Sequence, residues 1–148
     1  MEELILWGLR IAGAGQIALA CLHRVGKRTM RSQDELARLS PLNAQIFMSL
    51  FGYITGINLC MGLLGLLAPR WILQPGNVHA LKLALFIAVY WSVRLGLQLF
   101  HYRWHEAPGN VGAPVTRVIL PLGLARFAAA HWLAVLWNVL GGLPFLIL

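Results

Sequence analysis

The stretch NAQIFMSLFGYITGINLCMGLLGLL, from Asn43 to Leu67, decides the fold because it contains no charged residue at all. An apolar run of about 20 residues is long enough to cross the hydrocarbon core of a bilayer as an α-helix. The start of this run is well marked, since Ser40 can cap a helix and Pro41 suits its first position. We therefore predict a transmembrane helix over residues 43–67.

Three further apolar stretches, over residues 4–22, 80–100 and 122–143, predict three more spans. Of the 148 residues, 59% are hydrophobic and only 11% are charged, whereas soluble domains carry about 25% charged residues. The same composition excludes a disordered chain, which would be rich in charge and poor in apolar residues. We predict a single transmembrane domain over residues 1–148, an all-α polytopic integral membrane four-helix bundle.

The basic residues indicate the orientation of these helices. The loop over residues 24–42 carries five Lys or Arg residues, and the third loop adds Arg103 and Arg117, whereas the opposite side has only Arg70 and Lys82. Positive charge in short loops marks the cytoplasmic side. Both termini are therefore expected on the non-cytoplasmic side of the membrane.

The cytoplasmic loop 24–42 also predicts contact with lipid. Ser32 and Glu35 match a capping box, which favours a short helix at the membrane interface. The basic residues of this loop would lie near anionic headgroups. Topology and anionic lipid explain the net charge of +7 better than binding to nucleic acid does.

Small residues predict that the first two helices pack against each other. Small residues spaced by four let helix backbones approach closely, which favours helix contact in lipid. The members of this set are Gly8, Ala12, Gly13, Gly15 and Ala18 in the first helix and Gly52, Gly56, Gly62 and Gly65 in the second.

The most informative polar residues are Trp91, Arg94, Gln98, His101 and His105, whose spacings of three and four place them on one face of the third helix. A charged side chain at mid-bilayer costs between ~2.5 and ~17 kcal/mol, so this face must point into the bundle or into a water-filled cavity. Arg94 would lie roughly 20 Å into the span. Other helices carry polar residues at the same depth: Gln16 and His23, then Gln45 and Ser49, then Arg126 and His131. We predict a polar cavity or network in the cytoplasmic leaflet.

The acidic residues limit the chemistry of this cluster, because none of the five lies within a predicted span. Coupling to protons or sodium through a membrane carboxylate is therefore not expected. Arg94 has no intramembrane counter-ion, which leaves two interpretations open. It is satisfied by snorkelling and by bonds within the bundle, or it binds an anionic ligand such as a lipid phosphate or a carboxylate.

The histidines raise the question of a cofactor. His23, His101 and His131 suit paired axial ligands of a haem in a four-helix bundle, but covalent haem motifs and HxxxH or HxxE spacings are absent from the spans. Cys21 and Cys60 are placed at opposite depths, too far apart for a disulfide. We predict no cofactor and no metal, with haem or quinone as the alternative.

Three segments carry a resemblance to known proteins. The runs GQIALACLH (Gly15 to His23), DELARLSPLNAQIF (Asp34 to Phe47) and YWSVRLGLQLFHY (Tyr90 to Tyr102) are similar to a group of small uncharacterised bacterial four-helix membrane proteins, with a looser likeness to DoxX-type membrane proteins. The resemblance covers roughly residues 4–104. It implies a four-helix bundle in the bacterial inner membrane, and it implies no activity and no site residue.

These patterns favour a non-catalytic membrane protein. It would bind a lipid or a small amphiphilic anion, or serve as a subunit of a larger membrane complex or homo-oligomer. The residues expected to line the site are Arg94, Gln98, His101, Gln16, His23, Trp91 and His131. One alternative is an electron-transfer component with haem or quinone, and another is a small transporter that acts as an oligomer.

Overall fold

The computed structural model describes residues 1–29, 38–101 and 118–146, with side chains described in 1–22, 38–101 and 118–141. Within these ranges every regular element is helical, and four of the helices are long and apolar. The elements are α1 (Glu2–Thr29), α2 (Pro41–Leu67), the short α3 (Pro69–Ile72), α4 (Val78–Gly96), a π-helical segment that continues α4 (Leu97–His101), and α5 (Leu120–Leu146). The predicted all-α fold is confirmed.

The four long helices each contain a segment that is long and apolar enough to cross a membrane. These segments are Glu2–Leu22, Pro41–Leu67, Val78–His101 and Leu120–Gly141, and each end lies within two residues of the corresponding predicted span. The helix α1 itself continues to Thr29, so the basic loop predicted from residue 24 begins later than expected. The interfacial helix predicted from Ser32 lies outside the described residues.

Side-chain caps mark the starts of two helices. Ser40 precedes α2, where its Oγ accepts a hydrogen bond from the backbone N–H of Asn43 at 3.4 Å, and Pro41 occupies the first turn as predicted. Asn77 precedes α4, where its Oδ1 accepts from the backbone N–H of His79 at 2.9 Å. These caps satisfy backbone donors that have no partner within the helix.

The helices α1 and α2 approach so closely that only glycine fits between them. A Cβ atom on Gly13 would lie 2.6 Å from the carbonyl oxygen of Gly62, and one on Gly65 would lie 3.1 Å from the carbonyl oxygen of Leu9. Backbone meets backbone at this crossing, which maximises van der Waals contact. The predicted contact between the first two helices is therefore present.

Other glycines of the predicted set do not take part in this crossing. Gly8, Gly52 and Gly56 have open space where a Cβ would be, whereas a Cβ on Gly15 would lie 2.8 Å from the Phe127 ring in α5. Thus α1 packs against α2 on one side and against α5 on another. Composition alone did not distinguish the glycines that pack from those that face outward.

The core lies where α1, α4 and α5 meet, with α3 at one end. Its largest fully buried apolar side chains include Leu6, Leu9, Ile87 and Trp91. At the α3 end, the Asn138 side-chain amide donates to the backbone carbonyl of Ile72 at 2.7 Å, joining α5 to α3. The bundle therefore consists of two helix pairs, α1 with α2 and α4 with α5, joined through α1 and α5.

The crossing at Gly13 predicts that alanine lowers the stability of the bundle at Gly13 but not at Gly8. Gly13→Ala should lower the free energy of unfolding in detergent by about 1–3 kcal/mol, because the added methyl group overpacks a backbone contact. Gly8→Ala is the matched control on the same helix, and it should be neutral or stabilise by up to about 1 kcal/mol, since alanine favours the helix. Equal losses of stability for the two variants would contradict this account of the crossing.

Candidate functional site

Phe127 of α5 contacts two of the buried polar side chains and also meets the backbone of α1. Its ring packs edge-on against Trp91 of α4, with ring centroids 4.9 Å apart, and it also meets α1 at Gly15. Its backbone carbonyl lies 2.8 Å from Nδ1 of His131. Gln16, next to Gly15, is fully buried, as are Trp91 and His131. We call Gln16, Trp91 and His131 the core polar cluster.

Several atoms of the core polar cluster have no hydrogen-bond partner among the described residues. They are both side-chain atoms of Gln16, Nε1 of Trp91 and Nε2 of His131. A carbonyl oxygen can only accept, so the His131 Nδ1 that contacts Phe127 carries the proton, and the neutral ring leaves Nε2 as an acceptor. A buried polar atom without a partner lowers the stability of the fold by about 1–3 kcal/mol. These atoms therefore destabilise the bundle unless another group satisfies them.

A second polar group joins α2 to α4. The Tyr90 hydroxyl donates to Oδ1 of Asn58 at 2.7 Å. Asn58 is fully buried, and its Nδ2 has no partner within the described part of the chain. One turn along α4, Arg94 is half-buried. We call Asn58, Tyr90 and Arg94 the α2–α4 seam.

The seam is a place where helix backbones stay apart. The helix α2 packs closely on α1, and α4 packs closely on α5, but α2 and α4 have no comparable backbone contact. The long Tyr90 side chain therefore bridges a gap rather than a tight crossing.

The carboxylates of the described residues are remote from the seam. They are Glu2 and Glu3, both in the first turn of α1. Arg94 lies sixteen residues along α4 from Val78, or about 24 Å at the usual helical rise. Arg94 therefore lies at the seam with no acidic side chain of the described residues beside it.

The residues predicted to share one polar face of α4 differ in their exposure. Trp91 and Gln98 are buried and Arg94 is half-buried, whereas His101 is exposed. The segment Leu97–His101 is π-helical, and a π-turn has more residues per turn than the α-helix, so spacing by three and four no longer keeps His101 in line. Such turns frequently occur at functional sites.

The predicted convergence of polar groups from all four helices is only partly present. Gln45, Ser49 and Arg126 are exposed on the outside of the bundle, so they do not join the buried groups. The backbone of His23 lies in α1, but its side chain is outside the described set, and His105 is outside it altogether. Among the described residues, buried or half-buried polar side chains form the core polar cluster and the α2–α4 seam.

The histidines proposed as haem ligands do not all converge. Nε1 of Trp132 donates to Oγ of Ser92 at 3.0 Å, which places the adjacent His131 beside this part of α4. His101 lies nine residues beyond Ser92, about 13 Å along the axis. Of this pair, His131 is fully buried and His101 is exposed. Within the described residues no three His, Cys, Asp or Glu side chains form a group suited to a metal ion.

Sequence reasoning missed Asn58 and Tyr90. The available signal was that Asn58 is the single amide at the middle of an otherwise apolar helix, where a polar side chain needs an internal partner. Comparison with known proteins adds no further residue, because no family model, curated protein or solved structure matches the chain.

The bond between Tyr90 and Asn58 predicts a measurable loss when the hydroxyl is removed. Tyr90→Phe should lower the free energy of unfolding by about 1–2 kcal/mol, because both polar atoms of the buried Asn58 would then lack a partner. The control is Tyr53→Phe, since Tyr53 on α2 is 73% exposed and its hydroxyl should be worth little. A Tyr90→Phe variant as stable as Tyr53→Phe would show that this bond does not join the two helices.

Proposed function

We propose that the protein is a polytopic integral membrane protein of the bacterial inner membrane. The four long apolar helices support this proposal, and so does the outside of the bundle. Large apolar side chains are exposed along all four, among them Leu50, Phe86 and Leu133. A soluble monomer rarely exposes apolar patches of more than a few hundred Å², whereas a bilayer covers them.

The proposed orientation places both termini outside the cytoplasm. The basic residues of 24–42, together with Arg103 and Arg117, lie on the proposed cytoplasmic side, in accord with the distribution of positive charge in short loops. The last part of α1, up to Thr29, extends the helix beyond its apolar segment. Its basic residues would then lie at the anionic headgroups of the inner leaflet.

Within this membrane protein we propose a binding function rather than catalysis. The α2–α4 seam would bind an anionic lipid or a small amphiphilic anion, with Arg94 at the charged headgroup. The observation that carries this proposal is the half-buried Arg94 without a nearby carboxylate among the described residues. An arginine in a span needs a partner of opposite charge, a backbone carbonyl or access to the interface.

The surroundings of Arg94 suit an amphiphile. At about 24 Å along a helix that crosses a core of about 30 Å, the guanidinium lies near the level of the headgroups. The Tyr90 hydroxyl lies one turn towards the bilayer centre, and Gln98 lies one turn the other way. The exposed apolar sides of α2 and α4 then offer contact to an acyl chain, so one ligand would meet charge at one end and hydrocarbon at the other.

The same site is compatible with a role as a subunit of a larger membrane complex or of a homo-oligomer. In that case an acidic or lipid-bearing partner would supply the negative charge. An electron-transfer role with haem or quinone has less support, because His131 is fully buried and His101 is exposed. Transport coupled to a membrane carboxylate also has little support, because the acidic residues of the four apolar segments are Glu2 and Glu3, both in the first turn of α1.

Lipid retention tests the role of Arg94. The protein is reconstituted in vesicles of phosphatidylethanolamine and phosphatidylglycerol and extracted in mild detergent, and its bound lipid is counted by native mass spectrometry. Arg94→Leu should weaken retention of phosphatidylglycerol about tenfold, equivalent to 1.4 kcal/mol, since a hydrogen bond to a charged group is worth about 1.5–3 kcal/mol.

The matched control is Arg70→Leu, which removes an exposed arginine from the short α3, outside the four apolar segments, and should leave retention unchanged. Arg94→Lys should retain part of the binding, because lysine keeps the charge but loses the bidentate geometry. Equal phosphatidylglycerol content in the parent and in folded Arg94→Leu would overturn the ligand role.

A further inference from the structure

The core polar cluster is separate from the α2–α4 seam, and several of its polar atoms lack hydrogen-bond partners among the described residues. Gln16, Trp91 and His131 come from three helices, and each is fully buried. Each also has at least one polar atom with no partner in the described part of the chain. Native proteins rarely bury such atoms without a water molecule or another partner. Trp91 and His131 both contact Phe127, and Gln16 follows Gly15, which faces the Phe127 ring.

The four unpartnered atoms define what would satisfy them. Nε1 of Trp91 and Nε2 of Gln16 are donors and need an acceptor, whereas Oε1 of Gln16 is an acceptor and needs a donor. Nε2 of the neutral His131 ring also accepts, since Nδ1 holds the proton against the Phe127 carbonyl. A guest must therefore both donate and accept hydrogen bonds.

The charge of the surroundings selects an uncharged guest. Phe127 belongs to the apolar core, and His131 is the one ionisable side chain among the buried residues that the structure describes. An ion without a counter-charge would be strongly disfavoured in such an interior. The complete burial of all three polar side chains also restricts the guest to a small group.

We infer that the core polar cluster binds a small uncharged hydroxyl-bearing guest between α1, α4 and α5. The hydroxyl oxygen accepts from Trp91 and Gln16, and its proton is donated to His131 or to the Gln16 carbonyl. Internal water supplies this chemistry, and so does the hydroxyl group of a membrane-soluble molecule. Water of this kind typically makes about three hydrogen bonds to buried polar groups.

A high-resolution density map of the wild-type protein in lipid nanodiscs tests the inference directly. The expected result is a density peak within hydrogen-bond distance, about 2.7–3.2 Å, of polar atoms from at least two of the three side chains. A compact peak identifies water. An elongated peak identifies a membrane-soluble molecule, whose mass is then measured in a solvent extract of the protein. Side chains packed together with no density between them would overturn the inference.

Thermal unfolding provides an independent test with a matched pair of glutamines. Gln16→Met keeps the length of the side chain and removes its polar atoms, so the guest loses two partners and the melting temperature should fall by a few degrees. Gln45→Met is the control, since Gln45 is exposed on α2, and its melting temperature should barely change. If the Gln16 amide had no partner at all, Gln16→Met would raise the melting temperature, which would contradict the inference.

If Gln16 and His131 bind the same guest, the effects of their substitutions on stability should not be additive. The loss of stability in Gln16→Met combined with His131→Leu should be smaller than the sum of the two single losses, because either change alone already weakens the guest. Strict additivity would count against a common guest. These outcomes do not depend on the seam, since Arg94, Tyr90 and Asn58 are unchanged in every variant.

Discussion

The contact between α1 and α2 at Gly13, Gly62 and Gly65 is the interaction on which the arrangement of the bundle depends. It brings two backbones together with no side chain between them. Once α1 is held on α2 in this rotation, Gly15 meets Phe127 of α5 and Gln16 is buried. Thus one close crossing determines which side of α1 faces the core.

The consequence of this rotation is that polar groups are distributed in two places with different chemistry. Gln16, Trp91 and His131 are sealed among three helices and lack partners for several atoms. Arg94 instead lies at the looser boundary between α2 and α4, beside the bond from Tyr90 to Asn58. The fully buried core polar cluster suits a small uncharged guest, whereas the half-buried Arg94 suits an anionic amphiphile. The proposed function and the further inference follow from this division.

The sequence predicted the elements of the fold closely but their rotation poorly. Runs of apolar residues defined the apolar segments of the four long helices to within two residues at each end, because length and hydropathy are local properties. The positions of the glycines in α2 did not by themselves indicate that Gly62 packs while Gly52 and Gly56 face outward. Rotation is determined by contacts with other helices, which a single sequence does not display.

The candidate site shows the same limit. The spacing of Trp91, Arg94 and Gln98 correctly predicted neighbouring positions on α4, but a π-turn moved His101 to an exposed position. Gln45 and Ser49 were expected inside at the right depth, yet they lie on the outer side of α2. The depth of a residue along a helix can be estimated from the rise per residue, whereas the direction of its side chain depends on how the neighbouring helices pack.

Accessibility along α2 tests the central claim, that an apolar outer surface faces lipid while polar groups face the interior. Nitroxide labels at successive positions 50–58, in protein with Cys21 and Cys60 changed to serine, report collisions with oxygen in the bilayer and with a water-soluble nickel chelate. We predict high oxygen accessibility at Leu50, Tyr53 and Ile57, a minimum at Asn58, and low accessibility to nickel throughout. High nickel accessibility at Tyr53 and Ile57, or oxygen values without a helical period, would contradict the account.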